Sequence, residues 1–561
     1  MKPTSRRRAL AAFAGVAAAN PHLSLGAAEN NSVLAMQDRS LVTSGLVNAF
    51  EFMSAASIAA VKAFSYDVDV TVELQAAMNT AFANGMTLAL SAGGYRVTSL
   101  TLPGDSSSRF KPFIMRGAGT GEVFALGGAG GTVLKSSANA PVLQYIQDRP
   151  LTGNGQADIS FINFWGNSAT PVLRFGAFFA QSELHHCGIY QSGTGNGIEI
   201  EFANTIDIHH NYILNRDCVT TGLGGNRVGI GMHIKYSHDA ALTTIHKNTS
   251  RGFKTGFKFG ADVGKVLYFA QVDQNECSTN QNGMEITAAC QSVNISNNYF
   301  EDGEGGIGIL DNGRSSTVSG NFMFTGYSIM LASGKDSYGG SYRENTLSVA
   351  SRAQSIAIQL DCSGAYAGLK RTVSHNTIIF GGSGGVIAGV VGIKIMGVRP
   401  HLDLTGNVFN PQGAWTGGSG TAKILNLSTG HDGSTGSGII GMSVTGDEAI
   451  EFPLVSRGAF SLGLSLRVLS DLDIIANVLT ISEASSFVLT ANSTQIVRSI
   501  TSQNIGGKWF CIRATNAKTT FENTALLRLA GSSNFTPGAQ GAVIWFQHQA
   551  GVTWETSRTL Y

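Results

Sequence analysis

The stretch IHHNYI, Ile208 to Ile213, states a rule that the chain keeps restating: an apolar residue, two variable ones, Asn, one variable, then apolar again. With Asn211 as its slot, the phrase returns as IHKNTS at Asn248, VDQNEC at Asn275, ISNNYF at Asn298 and VSGNFM at Asn321. YRENTL at Asn345, VSHNTI at Asn376 and LTGNVF at Asn407 continue it, and two weaker copies, ISFINF and LHHCGI, precede it with Ile162 and Cys187 in the slot. Successive slots are 25, 24, 37, 27, 23, 23, 24, 31 and 31 residues apart. A period in the twenties, lengthened where a loop is inserted, is that of a solenoid whose every coil is one supersecondary unit.

The coils read as β rather than α. Apolar residues alternate before each slot, as in Ile206/Ile208, Val293/Ile295 and Leu402/Leu404, which is the period of a strand with one face buried. Asn is expected at the bend because it tolerates the left-handed conformation and bonds to nearby backbone, and stacked amides can pair from coil to coil. Unrelated turns would also use Asn, but ten slots in series argue against that reading. The pattern resembles the right-handed, single-stranded parallel β-helix of the pectate lyase and phage tailspike superfamily. The expected class is therefore all-β, with the helix over residues 111–440.

Composition fits such a fold. The chain holds 70 Gly and 11 Pro, and 13% of its residues are charged against about 25% in ordinary domains, so Ser, Thr, Asn and Gly must dress the surface. A net charge of +1 gives no electrostatic footprint for nucleic acid or an anionic membrane. Six cysteines show no metal-binding spacing, and buried free thiols are expected.

Residues 1–28 open with Arg6, Arg7 and Arg8 before an Ala-rich run, which reads as an export signal resembling the twin-arginine type, or else as a virion-anchoring segment. Residues 29–65 read as short helices or a linker. Over 66–110, Leu74, Met78 and Phe82 fall at helical spacing, Gly85 closes the helix, and strands flank a Gly-Gly turn. This helix–glycine–strand order resembles the N-terminal cap of the same superfamily, a helix over the open end of the first coil. Residues 441–473 form a connector. Short alternating strands over 474–561 resemble the C-terminal β-domains that trimerise tailspikes, so a homotrimer is implied; a monomeric carbohydrate-binding sandwich is the other reading.

The repeat register locates candidate chemistry. Four residues before the slots stand Asp158, Glu183 and Asp207 in three consecutive coils, followed by six coils without a carboxylate. Coils lie about 4.8 Å apart, and two carboxylates at ~5 Å repel by roughly 3 kcal/mol at a dielectric near 20. One of them is expected to have its pKa raised, the split a glycosidase uses. Next to the bends stand His185/His186, His209/His210 and His246/Lys247, suited to binding sugar hydroxyls or an acidic sugar; ion-paired ladders of the same residues would be only structural. A second group, Glu301, Asp302 and Glu304, follows Asn298, and Arg251, Tyr212, Tyr190, Tyr299 and Tyr338 are candidate exposed sugar contacts.

No GxSxG elbow or HExxH occurs, which argues against an esterase or a zinc protease. The expected function is depolymerisation of an extended, acidic polysaccharide of bacterial or plant type, by carboxylate-pair hydrolysis. Elimination by a lyase and non-catalytic glycan binding by a spike or adhesin remain the alternatives. The expected catalytic residues are Asp158, Glu183, Asp207, Glu301 and Asp302; His185, His209, His210, His246, Lys247, Arg251 and Tyr212 bind substrate. No metal site or cofactor is expected, save calcium if the chemistry is elimination. The expected partner is the polysaccharide, with no nucleic acid and no membrane in the mature form. The location is secreted or periplasmic, or else a phage tail.

Overall fold

The computed structural model describes residues 45–104, 112–120, 131–145, 156–217, 227–237, 242–261, 265–303, 305–324, 326–349, 355–363, 371–380, 391–396, 401–411, 423–427, 438–440, 465–469, 473–481, 486–501, 509–538, 541–549 and 552–560. The export or anchoring segment, Cys218, Glu304 and most of the 441–473 connector lie outside them.

The middle of the chain is a parallel β-helix. One coil shows its anatomy: Ala270–Asp273 runs up to the slot, Glu276–Ser278 follows the bend, and Asn282–Ile286 completes the turn before Asn294–Ser296 starts the next. Each strand pairs in parallel with its equivalent one coil on, and the strands that follow the bend build a twelve-stranded sheet. Inward residues stack in columns, one of which runs Ile208, Ile245, Val272, Ile295, Val318, Tyr342, Val373 and Leu404, all fully buried. Apolar burial along this continuous core supplies the main driving force for winding.

The slot residues hold the coils in step. From Asn211 to Asn407 each Asn Nδ2 donates to the Oδ1 of the next at 2.9–3.0 Å. The second Nδ2 hydrogen goes back to a backbone carbonyl of the preceding coil, as from Asn275 to Ile245 O at 2.9 Å. Every slot Asn is at most 2% exposed, so the burial of an amide is tolerable only because it is fully hydrogen-bonded. The left-handed conformation expected of the Asn belongs instead to the residue before it. Phe161, His186, His210, Lys247, Gln274, Asn297, Gly320, Glu344, His375 and Gly406 all have φ between 54° and 65°. The Asn must aim its amide along the stack, so the preceding residue takes up the bend.

The N-terminal end is capped. The helix Thr71–Asn84 buries Leu74, Ala77, Met78 and Ala81 and ends at Gly85 with φ 65°. Gln75 covers backbone at the open edge, donating to Thr101 O at 2.8 Å and accepting from Thr101 N at 2.9 Å. The segment expected as short helices or a linker joins this cap from Leu46: Leu46–Asn48 pairs with Thr87–Leu90, and Ala55–Lys62 is a helix capped by Ser54. At the other end, strands between Ile474 and Leu560 enclose a separate core that includes Leu479, Val497, Phe521, Ile544 and Phe546. Cys187, Cys277, Cys290 and Cys362 are buried free thiols, as expected, and Cys511 is buried as well. Among the described residues no helix is long and apolar enough to cross a membrane.

Candidate functional site

The expected register is the observed one. Asp158 pairs with Glu183, Glu183 with Asp207, and Asp207 with Thr244. The three carboxylates therefore form one outward column over three coils, about 4.8 Å per step. Two residues further on, His185, His209 and His246 are themselves in register. Their rings stack with centroids 4.9 Å apart at each step.

The imidazoles reach back to the carboxylates of the preceding coil. His185 Nε2 lies 3.2 Å from Asp158 Oδ1, and His246 Nε2 lies 3.1 Å from Asp207 Oδ1, the latter off the hydrogen-bonding direction. Asp158 also accepts from Arg116 Nη2 at 3.1 Å. Burial alone would raise the Asp158 pKa, but the hydrogen bonds and charges of His185 and Arg116 outweigh it and hold the carboxyl below its ordinary value. At Asp158 the cations, not the neighbouring carboxylate, decide the balance. Glu183, between the two aspartates, has no hydrogen-bond or ion-pair partner among the described residues.

A second column stands beside the first. His186 and His210 stack at 4.8 Å, and Phe161 stacks on His186 at 5.1 Å. Within each coil the two histidines meet through Nδ1 atoms, His185 to His186 at 2.9 Å and His209 to His210 at 2.8 Å. One nitrogen of each pair must carry hydrogen and the other present a lone pair. Burial, then the neighbouring histidines, push the His209 pKa down to about 3. His186 and His210 are also lowered, first by burial and then by adjacent cationic groups, His185 and Lys247 respectively. A neutral imidazole can donate and accept hydrogen bonds at once, which suits sugar hydroxyls. Two sets of groups are close enough to share one cation: ring nitrogens of His185, His186 and His209, and those of His209 and His246 with a carboxylate oxygen of Asp207, each within 4.8 Å.

The remaining candidates lie across the bend, on the twelve-stranded sheet. Tyr212 is in Tyr212–Asn215, Arg251 in Thr249–Arg251 and Glu301 in Tyr299–Glu301. Asp302 follows at φ 52°. Glu301 accepts from the Tyr299 hydroxyl at 2.8 Å. Glu301 lies three coils beyond the Asn211 coil, roughly 14 Å along the axis, so Glu301 and Asp302 form a separate group from the acidic column. Tyr190, expected as exposed, is 5% exposed, packed between Trp165 and Tyr212 with ring centroids 6.5 and 6.4 Å away.

Arg116 and Phe161 were missed by the sequence reading. Arg116 pairs with Ser160, which pairs with His185, and so occupies the His185 position two coils back; extending the register past the last recognisable slot would have found it. Phe161 occupies the left-handed position before the weak slot Ile162, 37% exposed.

No protein-family model and no curated protein matches the chain. Solved structures are similar to it at low identity. The Agl-KA catalytic domain is 12% identical over 72% of this chain and 70% of that one, with a TM-score of 0.41. DFA-IIIase from Arthrobacter chlorophenolicus A6 is 12% identical over 65% and 94%, with a TM-score of 0.42. The Dettilon tailspike protein is 14% identical over 96% and 81%, with a TM-score of 0.40. The likeness is one of fold alone.

Proposed function

We propose that the chain cleaves glycosidic bonds of an extended polysaccharide laid along the outer face of the β-helix, by hydrolysis at Glu183 and Asp207. The observation that carries this reading is the unpartnered Glu183 carboxylate, in register with Asp207 on the next coil. Asp158 is committed to Arg116 and His185, which leaves Glu183 and Asp207 as the working pair. Their backbones are one coil apart, about 4.8 Å, in keeping with the ~5–5.5 Å carboxyl separation of a retaining mechanism. Asp207, with His246 beside it, attacks the anomeric carbon, and Glu183 passes a proton to the leaving oxygen. The adjoining imidazoles hydrogen-bond the sugar hydroxyls, and a coil repeat of ~4.8 Å gives a linear polymer equivalent contacts along its length. The polymer is an acidic one, of bacterial or plant type, which Arg116, Lys247 and Arg251 complement. The protein works outside the cell, secreted or on a phage tail, as a homotrimer through its C-terminal domain.

The test is to incubate the purified chain with a panel of acidic exopolysaccharides and pectic polymers. New reducing ends are expected, without the absorbance of unsaturated uronates. Glu183→Gln and Asp207→Asn are each expected to lower turnover by ~10²-fold or more, the scale of losing an acid–base or nucleophilic group, whereas Glu301→Gln leaves it unchanged. Unsaturated products would mean elimination instead. Binding without any product would leave a glycan-binding spike.

A further inference from the structure

We propose that His185, His186, His209 and His210 form a site for one divalent transition-metal ion of the imidazole-preferring class (Zn2+, Ni2+ or Cu2+), bound through Nδ1 atoms between two successive coils. The inference stands on side-chain geometry and is independent of the hydrolytic reading.

Each coil supplies a facing pair of Nδ1 atoms, 2.9 Å apart in one and 2.8 Å in the next. The two pairs lie one above the other, since the rings stack at 4.9 and 4.8 Å with interplanar angles of 12° and 5°. Ring nitrogens of His185, His186 and His209 lie within 4.8 Å of one another, on the near diagonal of a skewed array in which the His186 and His209 rings are 5.8 Å apart, and His210 Nδ1 lies 2.8 Å from that of His209. Ring rotations that draw these nitrogens inward would bring them to the ~2.0–2.1 Å of a zinc–imidazole bond. The short Nδ1 contacts already require a lone pair to point into the space between the rings.

The surroundings support one ring in the required form. Asp158 Oδ1 accepts from His185 Nε2 at 3.2 Å, which places the His185 hydrogen on Nε2 and leaves Nδ1 as the donor atom, the carboxylate–histidine arrangement that orients metal ligands. Phe161 closes one end of the double stack, and His246, stacked on His209, closes the other, with the exposed Lys247 beside it.

The fold itself does not call for histidine here. Positions 186 and 210 adopt φ of 54° and 55°, a conformation that Gly or Asn takes more easily and that Asn297, Gly320 and Gly406 supply at equivalent bends. Imidazoles at both positions therefore answer to what their side chains do.

The test uses the full, untagged chain stripped of metal. Calorimetric titration with ZnCl2 and NiCl2 is expected to show one ion per chain, and bound Co2+ to show the visible bands of a nitrogen-rich site. His186→Asn and His210→Asn keep the bend, because Asn tolerates positive φ, and each is expected to weaken binding at least tenfold. Asp158→Asn is expected to weaken it by ~10–100-fold, as for other groups that orient a ligand, and His246→Gln to leave it intact. In the unsubstituted chain Zn2+ should protect His186 and His210 from diethyl pyrocarbonate, a readout that does not depend on any variant folding. Absence of saturable binding, absence of that protection, or undiminished binding by the His186→Asn/His210→Asn double variant overturns the proposal. So does loss of binding in His246→Gln, which would move the ion to Asp207, His209 and His246.

Discussion

Asp158 and Glu183 are neighbours in one column with opposite circumstances, and cations make the difference. Asp158 takes hydrogen bonds from Arg116 and His185, whereas Glu183 takes none among the described residues. The lowered Asp158 pKa fixes the sign of a stability effect. Its contribution is present above the ordinary value of 3.8 and is lost as pH falls through the lower, folded-state value. Both partners are partly solvated, 26% exposed for Asp158 and 42% for Arg116, so the effect is on the order of 1 kcal/mol or less. Asp158→Asn is therefore expected to unfold slightly earlier than the parent near neutral pH and to converge with it as pH falls below the ordinary carboxyl value and through the lowered one, measured by denaturant melts across that range. A constant gap between the two at all pH values would show that the carboxylate charge is not what matters. The residue types at this site were legible in the sequence; the Nδ1 contacts were not, because they depend on rotamers and on which coils are adjacent.

At the scale of the element, the stacked Asn side chains are the feature most open to test. Asn298 accepts from the backbone N and Nδ2 of Asn275, and donates to Asn321 Oδ1 and to Val272 O. Asn298→Ala strands those buried groups at once, and a cost of about 2–4 kcal/mol is expected. Asn407→Ala, at the described end of the column, is expected to cost less, since among the described residues Asn407 has no further Asn to donate to. Midpoints or rates of denaturant unfolding would rank the two, and equal effects would argue against a cooperative column. The period was legible because each coil needs the same side chain at the same point. The backbone role of that residue was misread: Gln274, Glu344 and His375, one position earlier, carry the left-handed bend, and no propensity for positive φ marks them in advance. The cap helix could be read from the spacing of Leu74 and Met78, but Leu46–Asn48 could not. Three residues that become a strand only by pairing with Thr87–Leu90 carry no periodic signal of their own.

For the whole molecule, two cores are separately enclosed, one running along the coils and one within the C-terminal strands. The C-terminal part exposes Ile475 at 71%, Leu526 at 53% and Trp554 at 49%, large apolar side chains that favour burial against a partner surface. The homotrimer is expected to appear as three chain masses in sedimentation or light scattering, and replacing all three residues by Ser to shift it toward one. A single chain mass for the unsubstituted protein would exclude trimer formation. The short alternating strands of this segment were visible in the sequence; which side chains are left outside is decided by tertiary packing and was not. The column of carboxamides, finally, has a direction, since each hands its hydrogen to the coil that comes later in the chain. A nascent protein winding onward from its N-terminal lid thus always presents two unmet N–H donors of its leading Asn, backbone and side chain, at its advancing rim. That rim is a jig for the next turn of its own backbone, and equally for a stranger's until the last turn has closed.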